Sequence, residues 1–141
     1  RAIAFGLMRR GAVPIIASRT KKRSQLLAQR LDCRVTDWET RHAVDADILV
    51  NATPVGRHPN VDETPFDRHY LRPGMVVFDV VYNPEQTLLV KEARQKGCKV
   101  VTGVDLFVRQ AAMQFKVFTD QNPPLEQMRL ALKRAIGAAK V

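Results

Sequence analysis

The feature that most constrains this chain is an alternation of short, β-branched apolar runs with stretches of helical periodicity. Val13 to Ala17, Asp47 to Asn51, Met75 to Val81 and Lys99 to Thr102 are apolar runs too short for helices, and the first in particular reads as a strand buried on both faces. A weaker extended piece surrounds Arg34 and Val35. Between and around these runs the period changes to that of a helix. Residues 1 to 10 place Ile3 and Leu7 on one side, with Gly11 as a stop. Thr20 stands where it can cap a helix whose inner face is Leu26, Leu27 and Leu31. Leu88 to Lys96 is helical and ends at Gly97, and apolar residues at 104, 107, 108, 111, 115 and 118 form a stripe from Val104 to Thr119. Pro123 and Pro124 open a last helix, expected over residues 123–141, with Leu125, Met128, Leu132 and Ile136 inward. Prolines at 54, 59, 65 and 73 make the segment between Thr53 and Pro73 a loop with at most one helical turn. Each parallel strand pair needs a crossover, so the pattern predicts an α/β fold with a mostly parallel sheet and right-handed crossovers.

A chain of 141 residues fits one domain, so a single unit spanning 1–141 is expected. With 45% hydrophobic and 26% charged residues it reads as an ordinary soluble globular protein, and no apolar run suits a membrane span. The first residues lack the order of a signal peptide, which makes export unexpected and the cytoplasm the expected compartment. Cys33 and Cys98 have no CxxC spacing and read as two buried, reduced thiols. His42, His58 and His69 are scattered without metal-ligand spacing, so no metal site is expected.

The net charge of +9 invites a polyanionic partner. The basic residues are spread over the whole chain, without interleaved aromatics or a nucleic-acid-binding motif, so nucleic acid is not the expected partner.

Four segments in order, RAIAFGL from Arg1, SRTKKR from Ser18, NATPVG from Asn51 with VFDVVYNP from Val77, and GVDLFVRQAAMQF from Gly103, together resemble the shikimate dehydrogenases. The resemblance implies a Rossmann-like, doubly wound, mostly parallel sheet that binds NADP. Members of that family carry a first strand and a glycine-rich turn just before the segment matching Arg1 to Leu7. Both are absent here, so the chain is expected to begin inside a domain. The amino-terminal substrate domain, which in the family supplies a lysine and an aspartate for proton transfer, is expected in the same parent protein. No residue of this chain is expected to be catalytic.

The resemblance also assigns site residues. NAD-binding Rossmann units end the second strand with an acid that holds the ribose hydroxyls; here Ser18 and Arg19 stand in that place, with Thr20 and Arg23 following. Arginine forks suit a 2′-phosphate, which implies NADP rather than NAD. Serine replaces the family's usual asparagine at position 18, keeping a donor and an acceptor but losing reach. Asn51, Thr53, Pro54 and Val55 lie in the turn expected against the nicotinamide half. Arg57 stands where the family often has methionine. Gly103, Leu106 and Gln110 share one helix face: the first two are expected at the nicotinamide, with leucine in place of the commoner methionine, and Gln110 at the substrate, shikimate or 3-dehydroshikimate. Tyr82 is expected to reach the substrate, whereas Asp79, facing the other way in an apolar strand, needs buried partners. Two other readings stay open: a quinate or related polyol dehydrogenase of the same superfamily, and a non-catalytic nucleotide- or nucleic-acid-binding module.

Overall fold

A computed structural model describes residues 1–138, so the last three positions of the expected carboxyl-terminal helix lie outside the described residues. The chain forms two compact units, Arg1–Asp45 and Ala46–Val141. Among the described residues no helix is long and apolar enough to cross a membrane.

In the first unit, α1 (Ala2–Met8) leads through Gly11, at φ +81°, to β1 (Ile15–Ala17), α2 (Lys21–Leu31) and β2 (Arg34–Thr36). The two strands run parallel, Ile15 beside Arg34 and Ala17 beside Thr36. Neither is as enclosed as an apolar run suggests: β1 is half-buried along its length and Val13 lies before it, exposed. The inner face of α2 is also narrower than the leucine pattern implies. Ser24 and Ala28 are its buried residues, while Leu26 is 48% exposed. Small residues let this helix sit close to its strand, and the leucines flank the contact. Asp32 ends α2 in the left-handed conformation, with the Cys33 amide closing on the Ala28 carbonyl.

The second unit carries a three-stranded parallel sheet in the order β3 (Ile48–Asn51), β4 (Val76–Asp79), β5 (Lys99–Val101). The proline-rich loop contains the one turn of 3₁₀ helix expected of it, Arg68–Tyr70. After β4 comes α3 (Leu88–Gln95), stopped as anticipated near Gly97, whose φ is +73°. Val77, Leu89, Ala93, Phe66 and Leu71 form the core, with Leu49, Cys98 and Val100 packed on it. Burying a side chain such as Leu89, 1% exposed, contributes about 1.5 to 3 kcal/mol.

Last come α4 (Gly103–Thr119) and α5 (Leu125–Ala138). The buried face of α4 is Gly103, Val104, Val108 and Ala112. Phe107 and Phe118, counted in the expected stripe, are instead exposed, Phe118 by 83%. On α5, Met128, Leu132 and Ile136 are half-buried and Leu125 is exposed. The cysteines are reduced and half-buried rather than fully enclosed, and burial still pushes both thiols above their ordinary range.

Candidate functional site

The turn from β1 into α2 is built from four of the residues singled out by sequence. Ser18 Oγ accepts the Thr20 amide at 3.2 Å, which folds the turn back on itself. Thr20 takes the N-cap position, but its hydroxyl does not cap the helix; its carbonyl accepts the Arg23 and Ser24 amides. The capping expected of Thr20 is therefore absent, and its hydroxyl remains available. The first turn of α2 contains no acid, and Lys21 pairs with Asp37 at 3.0 Å across an exposed surface. Arg19 and Arg23 are exposed and, among the described residues, form no ion pair. Cations at a helix amino terminus oppose its dipole, so Arg19 and Arg23 leave a local excess of positive charge there.

The carboxyl end of β3 is arranged in the opposite way. Parallel register sets Asn51 beside Asp79 of β4. Asn51 is buried and its amide is fully used. Its Nδ2 donates to Asp79 Oδ1 at 3.0 Å and to the Val55 carbonyl at 3.2 Å. Its Oδ1 accepts from the Thr53 amide at 3.0 Å and the Thr53 hydroxyl at 2.7 Å. The Thr53 hydroxyl oxygen accepts in turn from the Val55 amide. Pro54, exposed, stiffens the middle of the turn. Arg57 is exposed, its amide on the Pro54 carbonyl.

Asp79 has 0% exposure, and the partners that a buried carboxylate needs are present. Burial pushes its carboxyl above the usual range, while hydrogen bonds from Thr87, Val81 and Asn51 pull it back. Thr87 was not anticipated from sequence, although a threonine directly before an apolar helical run is an N-cap signal. Its hydroxyl oxygen accepts the Val90 amide at the start of α3 and its proton goes to Asp79 Oδ2 at 2.7 Å.

Beyond β4 the chain turns so that Tyr82 points outward, 45% exposed, its ring 5.4 Å from that of Phe107 at 49°. Phe107, next to Leu106 on α4 and counted in the apolar stripe, lies against Tyr82 instead of in the core. Gly103 is buried against the chain's own backbone. A Cβ there would lie 2.3 Å from the Val81 carbonyl oxygen, so the missing side chain admits the chain's own backbone. The start of α4 is fixed by a capping box between Thr102 and Asp105, a T-x-x-D signal legible in the sequence and not used. Leu106 is half-buried and Gln110 exposed, one turn further along the same face.

His69 does have a carboxylate neighbour, Asp67, at 2.7 Å on an exposed loop. A cleft of about 490 Å³ in the second unit is lined by His58, Asp62, Glu85, Lys91 and Lys133 among others, and by none of the residues expected at the site. Its mixed charges are partly paired, Lys133 with Glu85 at 3.2 Å.

Parallel strands alternating with helices define a Rossmann-like α/β protein. A family model described as the shikimate 5′-dehydrogenase C-terminal domain matches residues 103–133. The chain is 37% identical to a shikimate dehydrogenase (NADP(+)) of Methanosarcina mazei over 147 aligned positions, covering 98% of this chain and 52% of that protein. Among solved structures, shikimate 5-dehydrogenase from Thermus thermophilus, in complex with NADP(H) and shikimate, superposes with a TM-score of 0.84 at 32% identity, over 95% of this chain and 50% of that one. Quinate dehydrogenase from Corynebacterium glutamicum, in complex with NAD, gives 0.83 at 33% identity, over 91% and 49%. This chain spans about half the length of the relatives it matches. It is similar to the carboxyl-terminal region of the shikimate dehydrogenases.

Proposed function

We propose that the parent protein is an NADP-dependent shikimate dehydrogenase that reversibly reduces 3-dehydroshikimate to shikimate, on the route to chorismate and the aromatic amino acids. The observation that carries this reading is the pair of exposed arginines, Arg19 and Arg23, at the end of β1, with no carboxylate partner among the described residues. An enzyme built for NAD places an acid there to hold ribose hydroxyls. The side chains present fit a phosphate instead: two guanidinium forks, the unused Thr20 hydroxyl, and a helix start with no acid in its first turn.

When bound, NADPH supplies the hydride, and the protein's share is binding, orientation and proton movement. Arg19, Thr20 and Arg23 hold the 2′-phosphate and Ser18 meets the adenosine ribose. Asn51, Thr53, Pro54 and Val55 present the β3 turn to the nicotinamide half, with Gly103 and Leu106 on α4 completing that contact. Tyr82, its ring tilted against Phe107, and Gln110 meet the substrate polyol. The group that moves the hydroxyl proton comes from the amino-terminal substrate domain of the parent. The cytoplasm is the proposed compartment, supported by two reduced thiols in a chain with no disulfide among its described residues.

A quinate dehydrogenase is the second reading, favoured by the NAD-bound neighbour of nearly equal similarity. Steady-state kinetics of the full-length protein decide between them. The proposal expects kcat/KM for NADP to exceed that for NAD by roughly 10²-fold or more, from charged hydrogen bonds of about 1.5 to 3 kcal/mol each, and shikimate to be oxidised in preference to quinate. Equal use of the two cofactors removes the phosphate-binding role, and preference for quinate transfers the chain to the second reading.

A further inference from the structure

We infer that Asp79 is a positioning residue, the anchor through which Asn51 ties the Thr53–Val55 turn to the frame of β4 and α3. This rests on the reading above that the turn faces the cofactor.

The hydrogen bonds of the turn divide into two kinds. Those from Asn51 to Thr53 and Val55, and from Val55 to Thr53, span two to four residues and would move with the turn as one body. Only the bond from Asn51 Nδ2 to Asp79 Oδ1 reaches out of the loop by side chain, across 28 positions of sequence. Asp79 is in turn held from two further directions, by the Val81 amide at 3.0 Å and by the Thr87 hydroxyl at 2.7 Å. Thr87 is itself fixed by capping α3. Every partner of the carboxylate donates, so Asp79 is an acceptor on both oxygens and has no freedom to rotate.

Thr87 also lies near the far end of the turn. Gly56 has φ +92°, and a Cβ on it would lie 3.5 Å from Thr87 Cβ and 3.2 Å from the Glu63 carbonyl oxygen. Asn51 at one end is thus bonded to Asp79, and Gly56 at the other lies close to Thr87, with no room between them for more than a methyl group. A ligand-facing turn gains from such an anchor, because its groups then meet the ligand without an ordering cost.

The test uses the full-length protein. Asp79→Asn keeps the shape and loses the charge; Thr87→Val keeps the shape and loses the hydroxyl; Thr87→Ser keeps the hydroxyl. Amide hydrogen exchange at Thr53 and Val55 reads the anchor directly, without any cofactor. Loss of protection there in Asp79→Asn and Thr87→Val, with β5 unchanged and Thr87→Ser close to wild type, is the expected result. Wild-type exchange at Thr53 and Val55 in both Asp79→Asn and Thr87→Val overturns the inference, as does a uniform loss of protection across the second unit. NADPH titration is the other arm. Affinity is expected to weaken roughly five- to tenfold in Asp79→Asn and Thr87→Val and to recover in Thr87→Ser. Changed exchange in a protein whose wild type does not bind NADPH would leave the anchor standing and remove the cofactor reading.

Discussion

Two helix starts in this chain are built on opposite principles. At α4, Thr102 and Asp105 satisfy each other's backbone in a capping box, Asp105 adds an acid to the first turn, and Arg129 of α5 reaches it at 2.8 Å. At α2, Thr20 does not cap through its side chain, the first turn holds Lys21, Lys22 and Arg23, and no acid is present. The first arrangement agrees with the helix dipole and the second opposes it. A chain that caps one helix well and leaves another uncapped and overcharged fits the proposal that the second start serves a ligand. On that proposal, substitutions at the two should separate cleanly into effects on folding and effects on binding.

The largest effect is expected on the folding side. Gly103→Ala puts a methyl group 2.3 Å from the Val81 carbonyl oxygen and 2.6 Å from that of Val80, backbone that cannot swing aside. The cost is expected to be about 3 kcal/mol or more, seen as a much lower melting temperature of the full-length protein or as failure to recover soluble protein. A variant that melts as wild type does would mean that the junction of β4 and α4 yields easily, and the contrast between the two helix starts would lose its rigid member.

The next effect belongs to binding alone. Arg19→Ala with Arg23→Ala removes both forks from the β1–α2 turn and should lower the preference for NADP over NAD by roughly 10²- to 10⁴-fold. The melting temperature without cofactor should hold or rise, since two charges that oppose the helix dipole are gone. Isothermal titration with each dinucleotide, beside a thermal melt, checks both halves. If the variant melts lower and keeps its cofactor preference, the arginines serve the fold and the comparison is reversed.

What the sequence disclosed of this contrast follows from how local each cause is. The strands and most helix limits were legible because β-branched runs, Gly97 and the prolines act within a few residues. The basic turn at Ser18 to Arg23 was legible because it is contiguous. The burial of particular side chains was not. Phe107 and Phe118 fit the apolar stripe of α4 as well as Val108 does, and only tertiary packing decides that Ala112 is enclosed and Phe118 is not. The Asp79 network was half visible: a carboxylate in an apolar strand demands partners, but which partners depends on the register that puts Asn51 beside it and on the loop that returns Thr87 to it. Gly103 shows the same limit, since a glycine announces a close approach without saying what approaches.

The smallest effect tests the well-capped start through pH. Partial burial alone would raise the carboxyl of Asp105, but hydrogen bonds from Arg129 and Thr102 outweigh it and hold the group below the ordinary carboxylate range. A depressed value in the folded state means that the pairing stabilises fully above the unfolded value, about 4, and that this contribution is lost as pH falls through the folded one. The two side chains are 33% and 30% exposed, so solvent screening limits the pair to under about 1 kcal/mol. Arg129→Ala should therefore lower the melting temperature slightly at pH 7, and the gap from wild type should close as the buffer is taken toward pH 3. Some acid sensitivity will persist in the variant, because the Thr102 amide and hydroxyl still donate to Asp105 Oδ2. A gap of equal size at both pH values would show that Arg129 acts through the packing of its stem against α4, leaving the capping box as the whole electrostatic difference between the two helix starts.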